Sequence, residues 1–186
     1  MMQKKNYISE LIPDTSQLVD NANVILNSLE DMKPINIEGS LVSNNGKYVG
    51  REYFAKQVKN SYSYKSKNEN DFSGIYVFYV NLVPVYVGIS GTIIRRMKYH
   101  LFGMKDNESS LVYLIANENY QNKYSIQHSG KRKDFPFDEF RTKIQAEMIK
   151  NWSFKYYQIE NGYKLAFSEI YVSCALKTKW NTFKTH

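Results

Sequence analysis

The chain is poor in residues that staple or break structure. Its 186 residues include one cysteine, four prolines and nine glycines. A single thiol, Cys174, cannot close an internal disulfide, so a disulfide scaffold is excluded and nothing points to an oxidising compartment. Because Cys174 lies in an apolar helical stretch, it is expected to be a buried structural thiol. No apolar run approaches the roughly 20 residues that span a bilayer as a helix. The stretch Met1 to Glu10 carries charge but no apolar core of the kind a secretory signal needs. These absences lead to the expectation of a soluble, cytoplasmic protein with no membrane partner. No internal repeat is visible.

Tyrosine and positive charge are plentiful. There are 16 tyrosines, and 25 Lys and Arg against 18 Asp and Glu give a net charge of +7. A basic balance suits a polyanionic partner without identifying one. Tyrosine combines apolar bulk with a hydroxyl that can reach phosphate, and most of these tyrosines should pack in a core or on a half-buried sheet. The length suits one compact domain with an elaboration, large enough to bury a core without disulfides.

Residues 14–31 show apolar positions at helical spacing (Leu18, Ala22, Ile25, Leu26, Leu29), with Asp14, Thr15 or Ser16 as caps. Residues 33–48 read as extended loop, 50–60 as a short basic helix and 61–72 as a polar linker. The segment 1–72 is therefore expected to be an N-terminal helical extension. At Ser73 the composition changes. Residues 74–80 (GIYVFYV) and 84–90 (PVYVGIS) are rich in β-branched and aromatic residues, so they read as a hairpin closed by Asn81 to Pro84. A helix opened by Ser90 or Thr92 follows and ends at Gly103. A second helix capped by Ser109 or Ser110, a loop over 121–136 and a third helix over 137–151 make up a two-helix insertion at about 103–152. Residues 153–160 alternate as a strand, Asn161-Gly162 is a turn, and 164–177 form a last helix. The expected fold is α+β, with a small three-stranded antiparallel sheet flanked by helices over 73–186.

Two tripeptides, Gly74-Ile75-Tyr76 and Tyr86-Val87-Gly88, lie on neighbouring strands of the hairpin, with the tyrosines ten positions apart. Arg96 follows ten positions later in the next helix, and His100 one turn beyond it on the same face. Glu169 lies in the last helix, followed by Leu176-Lys177-Thr178-Lys179-Trp180-Asn181. This set resembles the signature of the GIY-YIG nuclease family. The second tripeptide carries Val where Ile is usual, and Thr178 stands where a proline is common. The resemblance covers 73–103 and 153–186.

The resemblance implies a metal-dependent endonuclease that hydrolyses DNA phosphodiester bonds. Its catalytic set would be Tyr76, Tyr86, Arg96, His100, Glu169 and Asn181. Glu169 would hold Mg2+ (or Mn2+), a hard cation that keeps several waters and so needs few protein ligands. Arg96 would bind the scissile phosphate. Tyr76 would deprotonate water, but its ordinary pKa of about 10 is too high for that unless a neighbour takes up its proton. His100 or the metal shell is the candidate acceptor. Tyr86 would bond phosphate or the attacking water, and Asn181 would fix geometry or contact phosphate. The run Lys131-Arg132-Lys133 is a candidate DNA-backbone clamp, with a solvated loop as the plain alternative. Glu147 is the next candidate metal ligand, ahead of Glu139 and Glu160, and His128 is expected to be exposed.

The expected partner is double-stranded DNA. A small chain with insertions around a nuclease core suggests a stand-alone restriction-type enzyme, which would cut both strands as a homodimer. The alternatives are a structure-specific repair or recombination nuclease, acting on branched or damaged DNA or on RNA, and a non-catalytic nucleic-acid-binding module on the same fold.

Overall fold

In the computed structural model, β-branched and aromatic runs line up as antiparallel strands, and amphipathic segments cover both faces of the resulting sheet. Residues 13–57, 71–160 and 162–181 are described. The elements are α1 (Thr15–Asp31), β1 (Ile35–Asn36), α2 (Gly50–Gln57), β2 (Gly74–Val80), β3 (Val83–Ser90), α3 (Ile93–Phe102), α4 (Ser110–Tyr124), a 3-10 turn (Arg132–Asp134), α5 (Phe137–Asn151), β4 (Trp152–Gln158) and α6 (Gly162–Ala175). The α+β class expected from the sequence is borne out, with one correction. The sheet has four strands in the order β1-β4-β2-β3, all neighbours antiparallel. The extra strand is the two-residue β1, where Ile35 and Asn36 pair with Phe154 and Ser153 of β4. Two residues are too few to leave an alternating pattern, which is why this stretch reads as loop.

The central strand β2 is buried on both sides. Ile75, Val77 and Tyr79 face an aliphatic layer formed with Ile25 and Leu29 of α1 and Leu165 and Val172 of α6. Tyr76 and Phe78 face a larger, aromatic-rich core that includes Phe54, Phe72, Met97, Leu101, Met148 and Phe154. At roughly 25 cal/mol per Å² of apolar surface removed from water, these two layers supply the main stabilisation. The N-terminal segment thus contributes to both layers, through α1 on one side and Phe54 of α2 on the other.

Several boundaries differ from expectation. The hairpin turn is Asn81-Leu82, both with positive φ (50° and 65°), the signature of a tight two-residue connection, so Val83 and Pro84 belong to β3. Helix α4 runs on to Tyr124, and the expected loop contains the 3-10 turn. Asp14 caps α1, its side chain accepting from Gln17 N at 2.8 Å. Cys174 is exposed, not buried, because α6 turns Leu165, Ser168, Val172 and Ser173 inward instead. Residues 58–60 of the expected basic helix, 61–70 of the expected linker and Asn161 of the expected turn lie outside the described residues.

Candidate active site

The hairpin register determines which side each tyrosine occupies. Counting back from the turn, Val80 pairs with Val83 and Tyr79 with Pro84. The register then shifts, so that Phe78 pairs with Tyr86 and Tyr76 with Gly88. Val85 is the extra residue of a β-bulge. An unbroken ladder would have placed Tyr86 opposite Val77, on the aliphatic side. The bulge brings it round to the face of Tyr76, with ring centroids 6.3 Å apart. Gly88 is required by the same geometry, because a Cβ there would overlap the end of the Tyr76 ring. A Cβ at Gly74 would run into the backbone carbonyl of Tyr157 on β4. Both signature glycines are therefore explained by close packing.

Helix α3 lays Ile93, Met97 and Leu101 into the core and carries Arg96 and His100 to the tyrosines. Its start is fixed by Asp71, whose carboxylate accepts from Ile94 N at 2.8 Å and Arg95 N at 3.0 Å. Thr92, the residue at the cap position, makes no side-chain cap bond. At the other end, the buried Gln145 of α5 donates to the carbonyls of His100 (3.4 Å) and Gly103 (2.9 Å). With both ends tied, the Arg96 and His100 side chains on α3 are held in place.

The Tyr76 hydroxyl and His100 Nε2 share a hydrogen bond of 2.6 Å, and both side chains are fully buried. Arg96, half-buried, donates through Nε to the Tyr76 hydroxyl (3.4 Å), through Nη1 to the Glu108 carbonyl (3.1 Å) and through Nη2 to Ser110 Oγ (2.9 Å). His100 Nδ1 lies 3.3 Å from Ser109 Oγ. Burial, and next the neighbouring phenol of Tyr86, raise the Tyr76 pKa well above 10, against the pull of Arg96. Burial likewise raises Tyr86, although Arg96 opposes it. Burial, and then the Arg96 charge, push His100 well below its ordinary 6.5. The ground state is thus a neutral phenol bonded to a neutral imidazole beside a fixed guanidinium. Such an arrangement can pass a proton from oxygen to nitrogen and hold an anion against the arginine.

Glu169 approaches from the other layer. Helix α6 packs on β3, the edge strand, and Glu169 lies close enough to bias Tyr76, Tyr86 and Arg96 electrostatically. Half-buried, its carboxyl is raised by desolvation, which Arg96 partly offsets. It has no hydrogen bond or ion pair among the described residues. A desolvated carboxylate without a protein partner fits a divalent cation that completes its shell with water and phosphate. Among the described residues no group of three or more His, Cys, Asp or Glu side chains gathers.

Asn181 has a backbone-pinning position. Its Oδ1 accepts from Val87 N and its Nδ2 donates to Val87 O, both at 2.7 Å. Thr178 Oγ1 donates to the same Oδ1 at 2.8 Å, and Trp180 N donates to Val85 O at 3.1 Å. The C-terminal tail is thereby clamped to β3 beside Tyr86, at the bulge.

Tyr76, Tyr86, Arg96, His100 and Glu169 therefore gather around one centre, with Asn181 at its margin. The Lys131-Arg132-Lys133 run lies at the start of the 3-10 turn, with Lys131 at its N-cap. Arg132 is committed to Asp106, donating from Nε at 2.6 Å, and it stacks over Tyr113, whereas Lys131 and Lys133 are exposed. Glu139 pairs with Lys123 at 2.5 Å, Glu147 accepts from Asn151 Nδ2 at 2.7 Å, and Glu160 is exposed. His128 has its ring against Phe135 and Tyr120. Glu108, Ser109, Ser110, Asp71 and Gln145 were not legible as site residues. The two serines read as helix caps, yet Ser109 makes no cap bond. Comparison with protein-family models, with curated proteins and with solved structures finds no match.

Proposed function

We propose that the protein is a metal-dependent endonuclease of the GIY-YIG type that hydrolyses DNA phosphodiester bonds. The observation that carries this reading is the buried Tyr76–His100 hydrogen bond of 2.6 Å beside Arg96. A sheet tyrosine with a packing role alone does not need a neutral imidazole at its hydroxyl and a guanidinium on the same oxygen.

In this reading Arg96 grips the scissile phosphate and stabilises the charge that builds on it. Tyr86 orients the attacking water or a phosphate oxygen. Tyr76 takes a proton from that water while its own proton moves to His100 Nε2, so a free phenolate is never required. The imidazolium that results stands next to Arg96, which disfavours it in the free protein. An incoming phosphate reverses that local field. Glu169 would hold a divalent cation, Mg2+ or Mn2+, which when bound neutralises phosphate charge and eases departure of the alkoxide. Asn181 holds β3, and with it Tyr86, in register.

Double-stranded DNA is the partner suggested by the net charge of +7. A restriction-type enzyme working as a homodimer is the finer form of the proposal. The test is incubation with supercoiled plasmid, linear DNA, branched oligonucleotides and RNA, with and without Mg2+. Discrete Mg2+-dependent fragments support restriction, and cutting at branches alone supports a structure-specific nuclease. Tight, salt-sensitive binding without cleavage of any substrate overturns the enzymatic reading in favour of a binding module.

A further inference from the structure

We infer that the loop 104–108, at the start of the insertion, is a brace that holds the Arg96 guanidinium, with Glu108 and Arg132 as positioning residues. The kinetic side of this inference rests on the nuclease reading; the brace itself does not.

Arg96 is half-buried, and a guanidinium can only donate, so its pose depends on the acceptors around it. One of them, the Tyr76 hydroxyl, belongs to the sheet and lies 3.4 Å from Nε. The two nearer ones come from the insertion. They are the Glu108 carbonyl, 3.1 Å from Nη1, and Ser110 Oγ, 2.9 Å from Nη2. Ser110 is fixed by its place in α4. The Glu108 carbonyl stands between α3 and α4, in a segment that belongs to no helix or strand. It can hold Arg96 only as firmly as that segment is itself fastened.

Two fastenings are present. The first is local. The Glu108 carboxylate accepts from Met104 N at 2.8 Å and from Lys105 N at 3.2 Å, and Glu108 N donates to the Lys105 carbonyl at 3.1 Å. One residue thus ties the beginning of the loop to its end while its own carbonyl meets Arg96. The second comes from the connection between α4 and α5. Arg132 donates from Nε to Asp106 Oδ2 and from Nη2 to the Asp106 carbonyl, both at 2.6 Å, so its fork takes side chain and main chain together in the middle of the loop. Its guanidinium lies over the Tyr113 ring of α4, 4.1 Å from the centroid. A single exposed ion pair stabilises little, but a two-point fork seated on a ring has a fixed geometry. Arg132 is thereby committed to the loop. The basic run that reads in the sequence as a backbone clamp works, through this residue, on the phosphate-gripping group of α3.

The test uses Glu108→Ala, Glu108→Gln and Arg132→Met in the full chain, with folding checked by circular dichroism. The first readout is the side-chain 15Nε–1Hε signal of Arg96, assigned against Arg96→Met. Wild type should show a resolved, slowly exchanging signal, and so should Glu108→Gln, whose amide oxygen still accepts from both main-chain donors. Glu108→Ala and Arg132→Met should broaden the signal or speed its exchange. The second is plasmid cleavage with Mg2+, in which kcat should fall about ten-fold in Glu108→Ala and Arg132→Met with KM unchanged, and recover in Glu108→Gln. The third is the salt dependence of DNA binding without Mg2+, which Arg132→Met should leave as in wild type. A slope lower by about one would make Arg132 a contact to the DNA backbone and overturn its positioning role. An unaltered Arg96 signal in Glu108→Ala or Arg132→Met overturns the inference for that residue, whatever the rate does, and so does an altered signal with wild-type kcat. Glu108→Gln as slow as Glu108→Ala, with the Arg96 signal intact, also overturns it, because the carboxylate charge would then be the active feature. If the wild-type protein cuts no nucleic acid, the nuclease reading fails, and the Arg96 signals alone still decide whether the loop is a brace.

Discussion

Each face of the sheet sets a cation beside a tyrosine, and the two pairs are built differently. On the aliphatic face, Lys155 of β4 sits over the Tyr79 ring, 5.1 Å from its centroid, and donates to the Glu30 carbonyl at the end of α1 at 3.2 Å. The lysine meets the ring and a helix C-terminus, both of which attract positive charge for reasons of packing. On the opposite face, Arg96 meets the Tyr76 oxygen, and a histidine meets that oxygen from another side. Burial raises both phenols, Tyr79 to about 12. Desolvation alone therefore does not mark a site. What separates the faces is whether charged and basic groups converge on the hydroxyl or on the ring.

The largest expected effect comes from the one residue that crosses this division. Glu169 stands on the helix of the aliphatic layer, yet its charge is felt by Tyr76, Tyr86 and Arg96 on the other face. Glu169→Gln should lower plasmid cleavage at least about 1,000-fold, with folding and DNA binding retained, since metal charge stabilisation is worth several kcal/mol. Normal cutting by this variant would remove Glu169 from the site and make Glu147 the next residue to replace. The cations come next. Arg96→Met should cut kcat by about 100- to 1,000-fold, as for other groups that stabilise transition-state charge. Lys155→Met should leave kcat unchanged and shift unfolding by about 1 kcal/mol. Equal kinetic effects from the two would erase the distinction between the faces. The tyrosines sharpen it further. Tyr76→Phe should reduce kcat about 100-fold with little change in KM, whereas Tyr79→Phe should be kinetically silent.

The smallest effect concerns pH and stability. His100 has a folded pKa well below its ordinary 6.5, so the unfolded chain binds the proton more tightly. The stabilising contribution of the neutral ring is complete above about pH 6.5. It is lost as pH falls below that value, by up to about 1.4 kcal/mol per pH unit. Urea unfolding between pH 5 and 7.5 should show this loss, and His100→Gln should flatten it. An unaltered slope in the variant would mean that His100 is not the group responsible.

The residues whose signal is local were legible in the sequence. Strand β2 was marked by an unbroken β-branched and aromatic run, α5 by its periodicity and α3 by an apolar stripe with Arg96 and His100 one turn apart. The features that hold the site together depend on long-range contacts, and no window of sequence displays them. Asp71 caps α3 from 23 residues upstream of Ile94. The bulge at Val85 depends on a two-residue turn that cannot be distinguished, from residues 81–84 alone, from a longer one. Ser109 looks like any helix cap until His100 is folded against it. For these reasons the facing of Tyr86 could not be read beforehand, although its identity could.

The clamp of the tail on β3 also bears on assembly. The side-chain amide of Asn181 offers Val87 one donor and one acceptor, as a peptide group of a neighbouring strand would. It behaves as a one-residue surrogate strand, and Trp180 extends the contact to Val85. The opposite border of the sheet is β1, only two residues long. Neither border therefore presents the long row of open N–H and C=O groups that lets sheets of separate molecules join. In the proposed homodimer, contact between copies would accordingly be expected away from these two sheet borders.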